Sequence, residues 1–354
     1  MTLEQELARH VRESPLAEPL GDGRIRCLAC GHRCPIFPGL PGVCKVRFND
    51  NGRLMAPYGY VNALHVDPIE KKPFFHDLPG ARALSFGMLG CDLHCAYCQN
   101  WLSSQALRDP QADLYFHPVS AEEIVRQALD TGSECIVSTY NEPLITAEWA
   151  VEIFRIARRH GLATGFVSNG NATPEVLDYL RPWLDLFKVD LKSFRDENYR
   201  KLGGRLAPVL DSIRRIHEMG FWLEVVTLVV PGFNDSDEEL GEIARFLASV
   251  SPDIPWHVTA FHPDYKMTEP RPTSPEDLLR AVRAGRAAGL RYIYAGNLPG
   301  RLGNLEDTRC WNCGATLIER YGFRVLSNRL GADGRCPSCG TAIAGFWRVP
   351  VRAA

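Results

Sequence analysis

The stretch ALSFGMLGCDLHCAYCQN, residues 83–100, joins two signals that together decide the fold. Its first half is a short apolar run of the length of a buried strand. Its second half packs Cys91, Cys95 and Cys98 into eight residues with C-x3-C-x2-C spacing. A structural zinc takes four protein ligands, and a fully enclosed iron-sulfur cluster is likewise held by four thiolates. Three ligands leave one metal position open. An open position is what a reactive centre needs, because substrate or cofactor must coordinate there.

Outward from this stretch the pattern repeats. Apolar runs recur at ECIVSTY (134–140), TGFVSN (164–169), DLFKVDLK (185–192), FWLEVVTLVV (221–230), WHVTAF (256–261) and RYIYAG (291–296). Between them lie amphipathic segments such as SAEEIVRQALDTG and SPEDLLRAVRAGRAAG, several of which open on Ser or Thr with an acidic residue soon after and close on Gly. Alternation of this kind predicts right-handed βαβ units and a parallel sheet, either a complete or partial barrel or a doubly wound sheet. Residues 1 to about 80 are rich in Pro and Gly and predict little regular structure. The tail from 305 to 354 changes character again, with two paired-cysteine knuckles.

In a parallel α/β barrel, function collects where the strands end, because those ends and the following loops line one rim. Polar residues follow every predicted strand. Asn141 and Glu142 follow the second, Ser168, Asn169 and Gly170 the third, and Asp190 and Lys192 close the fourth. Asn234 follows the fifth in PGFND, His262 the sixth and Asn297 the last. Each alone is an ordinary turn residue. Delivered by successive strands to the rim that carries the cysteines, they describe one active site.

The chain has 354 residues, near-balanced charge and scattered Lys and Arg, so no basic tract favours nucleic acid. No apolar run approaches a membrane span, and the start, MTLEQELARHVRES, lacks the apolar core of a secretory signal. The expected location is the cytoplasm. There, twelve cysteines point to metal or catalysis more than to disulfides. Cys135, alone at the start of an apolar run, reads as a small buried hydrophobe.

With these residues in place, the sequence resembles the radical S-adenosylmethionine superfamily, whose C-x3-C-x-aromatic-C signature matches Cys91, Cys95, Tyr97 and Cys98. Within it the chain is similar to the branch related to pyruvate formate-lyase activating enzymes. More closely it resembles the AmmeMemoRadiSam radical-SAM proteins, through CLACGHRC, GVCKVR, DPIEKKPFFH, CQNW, YNEP, PGFND, FHPDYKM and YAGNLPG. The resemblance implies a 4Fe-4S cluster on the three cysteines, with S-adenosylmethionine filling the open place through its amino and carboxylate groups. It further implies reductive cleavage to a 5'-deoxyadenosyl radical that abstracts hydrogen from a substrate. Tyr97 would pack near the adenine, Glu142 would meet the methionine amino group, and Lys192, beside Asp190, would pair with the carboxylate. Asn141, Ser168, Asn169, Asn234 and His262 complete the candidate cofactor-binding set. Tyr140 and Asn141 stand where activases carry two glycines. A reductant such as flavodoxin or ferredoxin is implied, with Memo-like and AMMECR-type proteins as candidate partners.

The expected architecture is thus α/β, with a partial (β/α)6-type radical-SAM barrel over 81–300. A Cys-rich segment over 1–80 precedes it, and a zinc-ribbon or rubredoxin-like tail over 305–354 follows. In the tail, Cys310, Cys313, Cys336 and Cys339 form C-x2-C-x22-C-x2-C, which reads as a closed tetrahedral zinc site with rubredoxin-like iron as the runner-up. Being closed, that site is expected to serve substrate or partner positioning. At the front, Cys27, Cys30, Cys34 and Cys44 can close a second four-ligand site, with His32 as a substitute ligand. Its spacing fits neither ferredoxin pattern, which leaves structural zinc and an auxiliary cluster as equal alternatives. Two functional alternatives accompany the radical enzyme: a glycyl-radical activase, and a non-enzymatic metal-binding adaptor.

Overall fold

The computed structural model describes residues 3–112 and 115–349. Every one of the seven predicted apolar runs is a strand: Arg82–Gly87, Cys135–Ser138, Ala163–Ser168, Leu186–Asp190, Trp222–Val229, Trp256–Ala260 and Ile293–Gly296. They pair in parallel, each with its neighbours in the chain. Because the order never reverses, the sheet has no topological switch point and winds in one direction, as a barrel does and a doubly wound sheet does not. Its two edge strands, Ile293–Gly296 and Ala63–Pro68, do not pair with each other, so the barrel is partial. Ala63–Pro68 runs antiparallel to Arg82–Gly87 and caps that edge.

The crossover helices form where the capping chemistry allows them. Ser120 and Glu123 make a reciprocal capping box for Ala121–Asp130, and Ser274 and Asp277 do the same for Pro275–Ala287. Ala147–Arg159 ends at Gly161, whose φ of 72° is the left-handed turn that stops a helix cheaply only at glycine. Strands buried on both faces explain the continuous apolar runs, and Phe86, Phe154, Phe166 and Phe187 fill the space between sheet and helices with no exposed surface.

The first 80 residues are more ordered than expected. They hold two three-stranded antiparallel sheets, one of Val11–Glu13, Arg53–Pro57 and Phe48–Asp50, the other of Ala17–Gly21, Arg24–Cys27 and Pro35–Ile36. The expectation of little regular structure is corrected by the turn chemistry. Asn51 and Gly52, at φ 50° and 89°, make the two-residue turn that lets Phe48–Asp50 pair with Arg53–Pro57.

The tail carries a three-stranded antiparallel sheet, Thr308–Arg309, Thr316–Tyr321 and Arg324–Asn328. It is stitched to the strap 69–77 that precedes the first parallel strand. Arg320 and Glu70, both with fully buried side chains, form an ion pair at 3.4 Å, and Arg320 also donates to the Phe75 carbonyl at 2.7 Å. His76 bonds the Ala344 carbonyl at 2.6 Å and the Tyr294 hydroxyl at 2.5 Å. Glu224 accepts from the Phe75 and His76 amides and pairs with His257 at 2.6 Å. Among the described residues, no helix is long and apolar enough to cross a membrane.

Candidate active site

The loop after the first parallel strand places Cys91, Cys95 and Cys98 at the rim, around a cavity of about 110 Å³. Burial pushes the Cys95 thiol up to about 12, with the Lys192 ammonium opposing it. Cys98 lies 3.1 Å from the Ser104 hydroxyl, and the Cys91 sulfur accepts from the Leu93 amide at 3.4 Å. Thiols held protonated this way give up protons when they take a metal. Apolar neighbours, among them Leu93, Tyr97, Leu202, Val230 and Phe261, wall the loop from solvent.

Glu142 is 2% exposed and lines the same cavity. Its carboxylate accepts from the Ser168 hydroxyl at 2.6 Å, the Asn169 amide at 2.7 Å and the Leu144 amide at 3.1 Å. A carboxylate has about four acceptor positions, so one remains for a further donor. Burial, with repulsion from Asp92 behind it, pushes Glu142 up to about 8 despite those donors. Asp92 is itself fully buried and accepts from the Asn169 and Asn171 side chains at 2.7 and 2.8 Å. The Ser168–Asn169 corner therefore holds both carboxylates in place.

A second group faces them across the rim. Burial opposes ionisation of Asp190, but the ammoniums of Lys188 and Lys192 overcome it and hold the carboxyl down at about 2. Lys192 sits 3.2 Å from Asp190 and Lys188 contacts its other oxygen. An ammonium has three donors, so Lys192 keeps capacity for an incoming carboxylate. Lys188 was not expected at the site. Its signal is in the sequence: Lys188, Asp190 and Lys192 alternate along an otherwise apolar stretch, which in a strand puts all three on one face.

Tyr140 and Asn141 follow the second parallel strand, Cys135–Ser138. Tyr140 takes φ 72°, the left-handed conformation a glycine would adopt. Its hydroxyl receives a hydrogen bond from Lys72 at 3.1 Å, and Lys72 is also paired with Asp67 at 2.9 Å. Asn141 accepts from the Met88 amide at 2.9 Å, tying the second strand end to the first. Lys72, within IEKKP of the strap, is a further cavity residue that strand-end reasoning missed, because it lies on no parallel strand.

Three cavities run on from one another. The small one shares Cys95, Cys98, Asp190 and Lys192 with a cavity of about 400 Å³ that also meets Tyr97 and Lys72. That one shares Gln99, Thr259, Asn297 and Phe323 with an outer cavity of about 620 Å³. His262 borders only the outer one, bonded to Gln99 at 3.0 Å. Asn234 reaches none of the three: its side chain is spent on the Val230 amide and the Lys192 and Leu228 carbonyls, holding the strand end. Tyr321 and Phe323 bring the tail's hairpin turn to the outer cavity.

In the tail, the sulfurs of Cys310 and Cys339 lie 3.6 Å apart and those of Cys313 and Cys336 3.7 Å apart. Zinc–sulfur bonds of about 2.3 Å give a tetrahedron with edges of about 3.8 Å, so the four thiolates fit one tetrahedral ion. Cys135 is fully buried in an apolar cluster, as a small hydrophobe would be.

The family model of the radical SAM superfamily matches residues 87–247. An uncharacterized protein of Methanocaldococcus jannaschii is 38% identical over 336 residues, which is 94% of this chain and 99% of that protein. The pyruvate formate-lyase-activating enzyme of Staphylococcus epidermidis is 24% identical over 196 residues, 52% of this chain and 76% of that enzyme. Among solved structures, a radical SAM methyltransferase from Sphaerobacter thermophilus overlaps at a TM-score of 0.48 with 18% identity, covering 64% of this chain and 70% of that one. The three-cysteine loop and the rim it shares with Glu142 and Lys192 lie within or beside the matched span, and the chain is an enzyme of the radical SAM superfamily, related to the activating enzymes.

Proposed function

We propose that the protein binds a 4Fe-4S cluster at Cys91, Cys95 and Cys98, and S-adenosylmethionine between Glu142 and the Asp190–Lys192 pair. When bound and reduced, these groups supply a 5'-deoxyadenosyl radical. The chain's own contribution is placement. Glu142 offers its free acceptor position to the cofactor's amino group, Lys192 its free donors to the carboxylate, and Tyr97 a flat apolar wall. The run of cavities from the cysteines outward to Phe323 carries this reading, because it gives cofactor and substrate adjoining compartments. The outer one, at about 620 Å³, suits a small molecule or a peptide end.

A glycyl-radical activase is the second reading, favoured by the activating enzymes among the relatives. Residues 1–80, 81–300 and 305–354 would then be a cysteine-rich segment, the catalytic barrel and a zinc-holding tail that walls the substrate compartment. The test is anaerobic reconstitution with iron and sulfide, followed by dithionite and S-adenosylmethionine. The wild type should release 5'-deoxyadenosine and the Cys91, Cys95 and Cys98 triple alanine variant should not. An unchanged rate in the variant would remove the assignment.

A further inference from the structure

The cysteines at the front of the chain lie behind the catalytic loop. Cys27 ends the strand Arg24–Cys27, and its amide bonds the Cys34 carbonyl at 3.0 Å, so the C-x2-C-x3-C turn closes on itself. Cys27, Cys30 and Cys44 are buried and Cys34 is partly so. Among the described residues only the tail quartet gathers three or more ligand atoms within 4.8 Å of one another. The front quartet is therefore set wider than one tetrahedral ion requires, and so is the catalytic triad. A polynuclear cluster holds its thiolates on different iron atoms and needs the wider spacing.

Arg47 supplies a second observation. It is 1% exposed, donates toward the Cys27 sulfur at 4.0 Å, and is paired with the buried Glu148. Its Nε is a buried donor with no partner among the described residues. A zinc ion bound by four thiolates brings no acceptor beyond the thiolates themselves, whereas the inorganic sulfides of a cluster accept N–H bonds, and hydrogen bonds to cluster sulfurs tune its potential. The guanidinium also offsets the net negative charge that four thiolates confer on either metal group.

The position is as informative as the composition. His32 bonds the carbonyl of Asp92, the residue after Cys91, at 3.1 Å, and the Gly31 amide bonds Asn171 at 2.8 Å. Arg108 bridges the Val43 carbonyl, beside Cys44, and the Leu93 carbonyl inside the catalytic loop, at 2.5 and 3.0 Å. Gly90, which precedes Cys91, has the Cys44 carbonyl 3.0 Å from where a Cβ would stand, so no side chain fits between them.

We propose that Cys27, Cys30, Cys34 and Cys44 hold a second iron-sulfur cluster, hydrogen-bonded by Arg47 and packed directly against the loop that carries the catalytic one. The inference rests on the radical SAM reading only for what the neighbouring loop holds. The test is iron, zinc and acid-labile sulfide analysis with EPR on full-length protein purified anaerobically, as wild type and as the Cys91, Cys95 and Cys98 triple alanine variant. Soluble variant that keeps the tail's metal reports an intact fold. The triple variant should retain about four irons and four sulfides per chain, about half the wild-type content, with a reduced-state signal that S-adenosylmethionine does not perturb. In the wild type the two reduced clusters should broaden each other's signals. Adding Cys27→Ala and Cys30→Ala to the triple variant leaves two front thiolates, too few for a cluster, and should remove the remaining sulfide. A triple variant with no sulfide and a second zinc would overturn the proposal, as would sulfide that survives loss of both Cys27 and Cys30. A triple variant with undiminished sulfide would instead overturn the catalytic assignment of the triad.

Discussion

Replacing Glu142 by Gln removes one charge and keeps the shape. The Ser168 and Leu144 donors can still meet an amide oxygen, while the Asn169 amide and the incoming cofactor would face an NH2 group. A charge-assisted hydrogen bond contributes about 1.5–3 kcal/mol, which predicts cofactor binding weaker by about tenfold to a hundredfold when the wild-type carboxyl is ionised. Ionisation of Glu142 also has a cost. With Glu142 pushed up to about 8 by burial, the wild type at about pH 7 must first lose a proton, at a cost of about 1.4 kcal/mol. The advantage over the variant should therefore shrink about tenfold between about pH 9 and pH 7. Calorimetric titration of S-adenosylmethionine into anaerobically reconstituted protein at both pH values measures it. The unliganded protein gives the complementary sign. A carboxyl raised on folding stabilises the folded state below its unfolded value and loses that contribution as pH climbs from about 4.5 through about 8. Denaturant melts of the variant should be flatter over that range. An affinity ratio that does not change with pH would refute the role of Glu142.

Arg320→Ala should destabilise the protein by about 3–5 kcal/mol, because it leaves Glu70 buried and unpaired, while Arg320→Met with Glu70→Met should recover most of the loss in urea melts. Recovery failing would mean that the Phe75 and Thr308 bonds of Arg320, not the ion pair, hold the tail. Tyr140→Gly should be more stable than Tyr140→Ala by about 1 kcal/mol, since only glycine is free of cost at φ 72°, and equal stabilities would contradict this. Phe323→Ala should leave 5'-deoxyadenosine formation in the absence of substrate intact and lower its coupling to substrate turnover. Equal loss of both would place Phe323 in cofactor binding alone.

Much of the barrel was legible because each strand is buried on both faces and so writes a continuous apolar run, and the rim was legible because parallel strands all end at one side. Glu142 and Lys192 follow from that rule. Asn234 satisfies it too, yet holds a turn, because the pattern locates a residue and not where its hydrogen bonds go. Lys72, Glu224 and His257 were invisible for other reasons. Lys72 reaches the cavity from an irregular strap, and Glu224 and His257 sit inside strands as a buried pair whose partner cannot be read from either strand alone. At the front, Asn51-Gly52 was a hairpin signal hidden among loop-forming residues.

The joint between strap and tail also has a consequence for biosynthesis. Glu70 and its partner Arg320 are separated by 250 positions, and at about 5–20 residues per second the strap waits on the order of ten to fifty seconds for the residues that seal it. For most of that interval the catalytic loop has been synthesised while the strap's Phe74 and Phe75 lack the cover of the tail. The nascent chain is thus at once most open to the machinery that inserts clusters and most exposed to aggregation, and arrest of synthesis before residue 320 should yield chains that depend on chaperones to stay in solution.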